Sequence, residues 1–217
     1  IRDRVIYAER VSSGLVGHFL SAINGASITR GSSWLKDSLG KQVLPSTCKL
    51  VENPHRLRAG ASRLFDSEGL ATKKREILSK GVLNGWTLDL ASARKLGMKP
   101  TANASRNVSS NPSPTNWNIE LSSPEDYCDN LLSEMGDGLL VTSLIGSTIN
   151  PNTGDYSRGV SGFWVENGQI CYPVSEITIA GNLRDMLKKI ILGNDAQRHL
   201  SYVVPSILVE EMTLAGS

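Results

Sequence analysis

Val11, Leu15, Phe19 and Ala22 recur every three or four positions, which places them on one face of a helix over residues 9–23. Asn24-Gly25 reads as its stop, because glycine accepts the left-handed cap. A second short helix is expected after Ser32-Ser33, ending near Gly40. Residues 44–51 read as a strand, and Asn53-Pro54 turns the chain. Residues 76–88 read as a hairpin turning at Lys80-Gly81, and 90–96 as a helix closed by Gly97. From 101 to 118 the composition shifts to Ser, Asn, Thr and Pro with few apolar anchors, so a long loop is expected.

Further along, Ser123-Pro124-Glu125 opens a helix to about Met135, with Ser123 as cap and Pro124 in its first turn. Residues 139–145 form a short, continuous apolar run, the pattern of a buried strand. Residues 159–165 and 169–174 are rich in aromatic and β-branched side chains and are joined through Asn167-Gly168. That dipeptide supplies the positive φ angles of a tight type I′ hairpin turn. A strand at 176–180, a helix at 183–192 and a last strand at 206–214 complete the pattern. Helices and hairpins grouped in this way predict an α+β fold: a curved, largely antiparallel sheet with flanking helices. No internal repeat is visible.

Composition narrows the class. A chain of 217 residues can bury a sizeable core, and 40% apolar with 20% charged residues suits a soluble globular protein. A net charge of +2 gives no reason to expect a nucleic-acid or membrane partner. The densest basic run, Lys73-Lys74-Arg75, reads as a solvated turn. Cys48, Cys128 and Cys171 lie far apart, which argues for a reducing compartment and three buried, inert thiols. No apolar run of about 18 residues and no signal peptide is present, so the expected location is cytoplasmic. Asn103-Ala104-Ser105 and Asn107-Val108-Ser109 fit the glycosylation pattern, as chance provides in a Ser/Asn-rich stretch.

The flanks of the hairpin carry more. Tyr156-Ser-Arg-Gly159 precedes Gly162-Phe-Trp-Val-Glu-Asn-Gly168, and Tyr172 to Asn182 follows. Residues 20–41, Phe65 to Thr72, Ser92 to Gly97, Leu139 to Gly146, Gly193-Asn194-Asp195 and 205–216 complete a fixed order. In this wording and order the chain resembles the C-terminal domain of the TldD/PmbA family of zinc-dependent proteases, on its PmbA (TldE) branch. The resemblance covers nearly all of residues 1–217. It implies that an N-terminal domain precedes Ile1, in a protein about twice as long.

The resemblance also implies where chemistry belongs. The zinc-bearing TldD branch carries His-Glu-x-x-x-His in the first helix, two imidazole ligands and a carboxylate that takes a proton from metal-bound water. Aligned on Gly17-His18, the other motif positions fall on Ser13 and Gly14, so only His18 persists. A further cysteine ligand, expected shortly after Gly-Asn-Asp, is missing between Asp195 and Pro205. The expectation is therefore no catalytic residue, no metal and no cofactor in this chain, with zinc on a TldD-type partner.

Elsewhere the residues are blander. His55 and His199 read as surface histidines, and Asp66 with Glu68 as a turn ahead of a strand. Asp155 and Arg158, at the mouth of the hairpin, are the candidates for peptide or partner contact, since a guanidinium holds carboxylates in bidentate fashion. A local Asp155–Arg158 ion pair is the plainer expectation for the two.

The reading that follows is the metal-free PmbA/TldE-like subunit of a heterodimeric metalloprotease that acts on extended peptides. The family also bears the name modulator of DNA gyrase, but this composition supports no direct nucleic-acid contact. A stand-alone metal-dependent peptidase and a non-proteolytic scaffold or regulatory module remain open beside it.

Overall fold

An Arg-Asp-Arg lead followed by the buried run Val5, Ile6 and Tyr7 makes a first strand, β1 (Arg2–Tyr7), in the computed structural model, which describes residues 2–124 and 126–216. Helix α1 (Glu9–Ala22) follows as its apolar periodicity predicts, burying Leu15, Val16, Phe19 and Leu20. It ends at Ala22, where the expected stop lies, but without a left-handed glycine cap. Asn24 instead caps a short helix α2 (Gly25–Thr29) by accepting the Ala26 N–H, so the second helix lies before residue 32 rather than after it.

Four short elements come next: β2 (Lys49–Glu52), β3 (Arg75–Ser79), β4 (Val82–Leu83) and α3 (Leu90–Leu96). The turn at Lys80-Gly81 and the left-handed cap at Gly97 stand as expected. Residues 101–118 are more than a loop. They contain a small pairing of β5 (Ala104–Ser105) with β6 (Ser113–Pro114), and they bury Asn103, Ala104 and Trp117. Asn103, which matched a glycosylation triplet, is fully buried and bonded to Glu52. β7 (Ile119–Ser122) then enters the second sheet.

Helix α4 (Leu131–Met135) is shorter than the pattern predicts. Its cap is Asn130 rather than Ser123, because Cys128 first bridges to Gly193 in extended form. Glu125, in the expected helix start, lies outside the described residues. Strands β8 (Gly138–Ile149), β9 (Asp155–Glu166) and β10 (Gln169–Asn182) are long, and β10 absorbs the separate strand expected at 176–180. The expected helix at 183–192 splits into α5 (Leu183–Lys188) and β11 (Ile190–Leu192). β12 (Tyr202–Val203) and β13 (Ile207–Ala215) end the chain.

The main sheet closes on itself like a barrel. β1 pairs with β8 in parallel, β8–β9–β10–β13 run antiparallel, and β13 returns to β1, with β11 added to β13. A second sheet has the order β12-β7-β2-β3-β4. Val16 and Phe19 of α1 meet Leu50, Leu78 and Leu121 of that sheet and Ile207 of the first. Helix α1 is thus held between the two sheets. The fold is α+β with few and short helices, and its curved sheet is a closed one.

Candidate site around His18

Because α1 turns its apolar stripe inward, Ser13, Gly14 and His18 fall on its half-buried flank. Gly14 faces apolar surroundings, since a Cβ built there would meet Leu144 Cδ1 at 3.8 Å. The His18 ring packs edge-on against Tyr156, with centroids 6.0 Å apart and planes at 65°. Its Nε2 is buried without a hydrogen-bond partner.

Strand periodicity places Tyr156, Arg158 and Val160 on one side of β9, and Tyr156 and Val160 are buried. The Tyr156 hydroxyl lies 3.3 Å from that of Tyr7, which also reaches Met212 Sδ at 3.5 Å. Burial raises the pKa of both phenols, and the Arg158 guanidinium beside them only partly opposes it. Burial also lowers the His18 pKa, and Arg158 lowers it further by charge repulsion. At neutral pH the ring and both phenols are therefore neutral, and the charge of the cluster is that of Arg158. Arg158 Nε is buried without a partner, and among the described residues no carboxylate forms a salt bridge with it.

Asp155 is not the partner the sequence suggested. It lies exposed on the other side of β9, accepting from Thr153 Oγ1 at 2.6 Å and Asn182 Nδ2 at 2.9 Å. Those two donors, Thr153 first, hold its carboxyl below the usual range. Asn182 in turn caps α5 through the Arg184 N–H. Asp155 fixes a loop to a helix start, while His18 and Tyr156, far apart in sequence, come together.

The other candidates separate in space. Asp195 accepts from the Ser206 amide and hydroxyl at 2.7 and 2.6 Å, beside a cavity of about 250 Å³ that Cys128 also lines. His55 meets Thr72 Oγ1, and His199 is exposed. Asp66 is buried and accepts three amide N–H groups, from Glu68, Leu70 and Ala104, which bears out the turn reading. Among the described residues no three of His, Cys, Asp or Glu gather so as to hold a metal ion.

Two further expectations need correction. Of the thiols only Cys48 is buried, and burial pushes it up to about 11, whereas Cys128 is half-buried and Cys171 exposed. Arg75 is not a solvated charge but the ion-pair partner of buried Glu52. The site residues that sequence reasoning passed over are Tyr7 and Tyr156. Tyr156 stood within the Tyr-Ser-Arg-Gly wording, and the short apolar run Val5-Ile6-Tyr7 was the signal for β1.

A closed mixed sheet with a histidine-bearing helix laid against it defines a class. The model of the PmbA/TldA metallopeptidase C-terminal domain matches residues 2–216, and the chain belongs to that family. It is 48% identical over 213 residues to the metalloprotease PmbA of Escherichia coli O157:H7, covering 98% of this chain and 45% of that relative. A Thermotoga maritima crystal structure, described as a candidate modulator of a DNA gyrase, has a TM-score of 0.87 at 32% identity. That similarity covers 99% of this chain and 50% of the other. TldE from Thermococcus kodakarensis, at 21% identity and a TM-score of 0.84 over 99% of this chain and 50% of that one, shares the fold. The chain spans about half the length of these proteins. No helix among the described residues is long and apolar enough to cross a membrane.

Proposed function

We propose that this chain is the PmbA/TldE-type subunit of a two-chain metalloprotease that degrades extended peptides in the cytoplasm, with zinc carried by a TldD-type partner. The observation that carries the reading is the flank of α1. There a hydroxyl at Ser13 and a bare hydrogen at Gly14 stand with a lone imidazole. Zinc sites take roughly three or four protein ligands, and a neighbouring guanidinium opposes a dication. The donors around His18 do not fit zinc, so no catalytic step is assigned to them.

The outer edge of β10 supports a role with extended chains. β10 pairs with β9 over most of its length but with β13 only at residues 178–180, and Gly216 lies against Glu176 and Ile177, which leaves 169–175 without a paired strand on that side among the described residues. Such an edge can take up a peptide strand through main-chain hydrogen bonds. A net charge of +2 gives no support to direct DNA contact behind the gyrase name of the relatives. Three unpaired thiols suit a reducing compartment.

The test is metal analysis and peptidase assay of the purified protein, alone and mixed with a homologue that keeps His-Glu-x-x-x-His. The expected result is zinc below stoichiometry in this protein, and activity only in the mixture. Stoichiometric zinc together with peptidase activity of this protein by itself would overturn the reading.

A further inference from the structure

Helix α5 and the segment ahead of β2, far apart in the chain, together wall a cavity of about 200 Å³. Arg184 and Lys188 stand four residues apart on α5, so they share one of its faces, while Leu183, Met186 and Leu187 are buried. Lys41 enters the same cavity from the facing segment, beside Trp34 and Ser38. Backbone hydrogen bonds fix both walls. Gly40 donates to the Leu83 carbonyl at 2.8 Å, and Leu83 donates back to Lys41 at 3.0 Å. The turn at 151–154 holds the other side, accepting from the Trp34 amide at Pro151 and from the Leu183 amide at Gly154.

The charge in this cavity is not balanced from within. Lys41, Arg184 and Lys188 are exposed, and among the described residues none of them takes part in a salt bridge. The wall holds one acid, Asp37, which forms no salt bridge either. Like charges four residues apart weaken a helix, and a third cation facing them adds to the repulsion. An anion between the walls turns that repulsion into attraction.

We propose that this cavity binds a phosphoryl group, with Lys41, Arg184 and Lys188 as its cationic donors. Three cations against one carboxylate call for more than a single negative charge. A phosphate monoester carries about −1.5 to −2 at neutral pH and presents three acceptor oxygens, one edge of which fits the fork of arginine. At about 30 Å³ per water the cavity holds a phosphoryl group with a few further atoms, and a whole nucleotide exceeds it. A bound phosphoryl group ties α5 to the segment ahead of β2. Its source is either free inorganic phosphate or a small phosphomonoester. This site shares no donor with the flank of α1, so it stands or falls apart from the protease reading.

The test titrates the purified protein with sodium phosphate, with sodium chloride at equal ionic strength as control, and follows the amide signals by NMR. Saturable shifts in about the millimolar range are expected, largest at residues 34–43 and 183–188. Shifts no different from those in chloride overturn the site. Arg184→Gln combined with Lys188→Gln is expected to weaken phosphate at least about tenfold, since one exposed charged partner is worth up to about fivefold. Unchanged affinity in that variant overturns the site as well. Lys36→Gln removes an exposed cation next to Asp37 but outside the cavity wall, and is expected to leave the affinity as it was. An equal loss there would show a diffuse field in place of a site and overturn the proposal. If the double variant does not fold, the wild-type comparison of phosphate with chloride decides alone. Sodium acetate is expected to bind at least about tenfold more weakly than phosphate, and equal binding overturns the phosphoryl assignment. O-Phosphoserine separates the two sources: affinity equal to that of phosphate supports a phosphomonoester, and failure to bind beside phosphate supports the free ion.

Discussion

Glu52 is 1% exposed, yet every oxygen of its carboxylate is engaged: Asn103, Asn116 and the Trp117 amide donate to Oε1, and Arg75 to Oε2. Arg75 continues to the Trp86 carbonyl and Thr87 Oγ1. This one side chain explains how residues 101–118, too polar to collapse by themselves, are nonetheless packed. Removing it leaves the guanidinium buried with no counter-charge, so Glu52→Ala is expected to cost about 3–5 kcal/mol in urea unfolding. A cost under about 1 kcal/mol, the value of an exposed pair, would show the network to be dispensable. At the candidate site the residue types were legible, because His18, Asp155 and Arg158 are all named by motif position. Their partners were not, since His18 meets Tyr156 across a distance in sequence that no local spacing records.

The β9–β10 hairpin is the element that the sequence encodes most fully. Asn167 and Gly168 take φ of 51° and 74°, the values a type I′ turn requires, and the strands run on either side of them as the alternation predicts. Gly168→Ala forces a methyl group into left-handed backbone, with Ser133 Cα only 3.1 Å from the new atom. The expected loss is about 1–2 kcal/mol, read as a lower midpoint in thermal or urea unfolding with the fold retained. Residues 183–192 were harder. An apolar run rich in Ile and Leu suits helix and strand alike, and length cannot arbitrate once the run is split. What breaks it is pairing: Ile190, Ile191 and Leu192 find Val209, Leu208 and Ile207 on β13, which outweighs another helical turn. Likewise Cys128 is drawn into extended form by Gly193, so α4 starts late despite a good cap at Ser123.

For the whole molecule, closure depends on β13, which pairs with β1 on one side and with β10 and β11 on the other. Its Leu208, Val209 and Met212 are fully buried. Hydrogen exchange is therefore expected to be slowest along β13 and fastest along residues 169–175 of β10, whose outer edge has no paired strand among the described residues. Equal protection of both would mean that the edge is covered, in conflict with a site open to peptides. The sequence by itself determined the family, the α+β class, the position of α1 and the central hairpin. These follow from local periodicity, turn chemistry and word order, all of which act over a few residues. Only the tertiary structure decided that the sheet closes, that Asp155 turns to Thr153 and Asn182, and that Tyr156 packs between His18 and Tyr7. Those outcomes come from contacts between segments distant in the chain, where burial and pairing select one arrangement among many that the same local pattern permits.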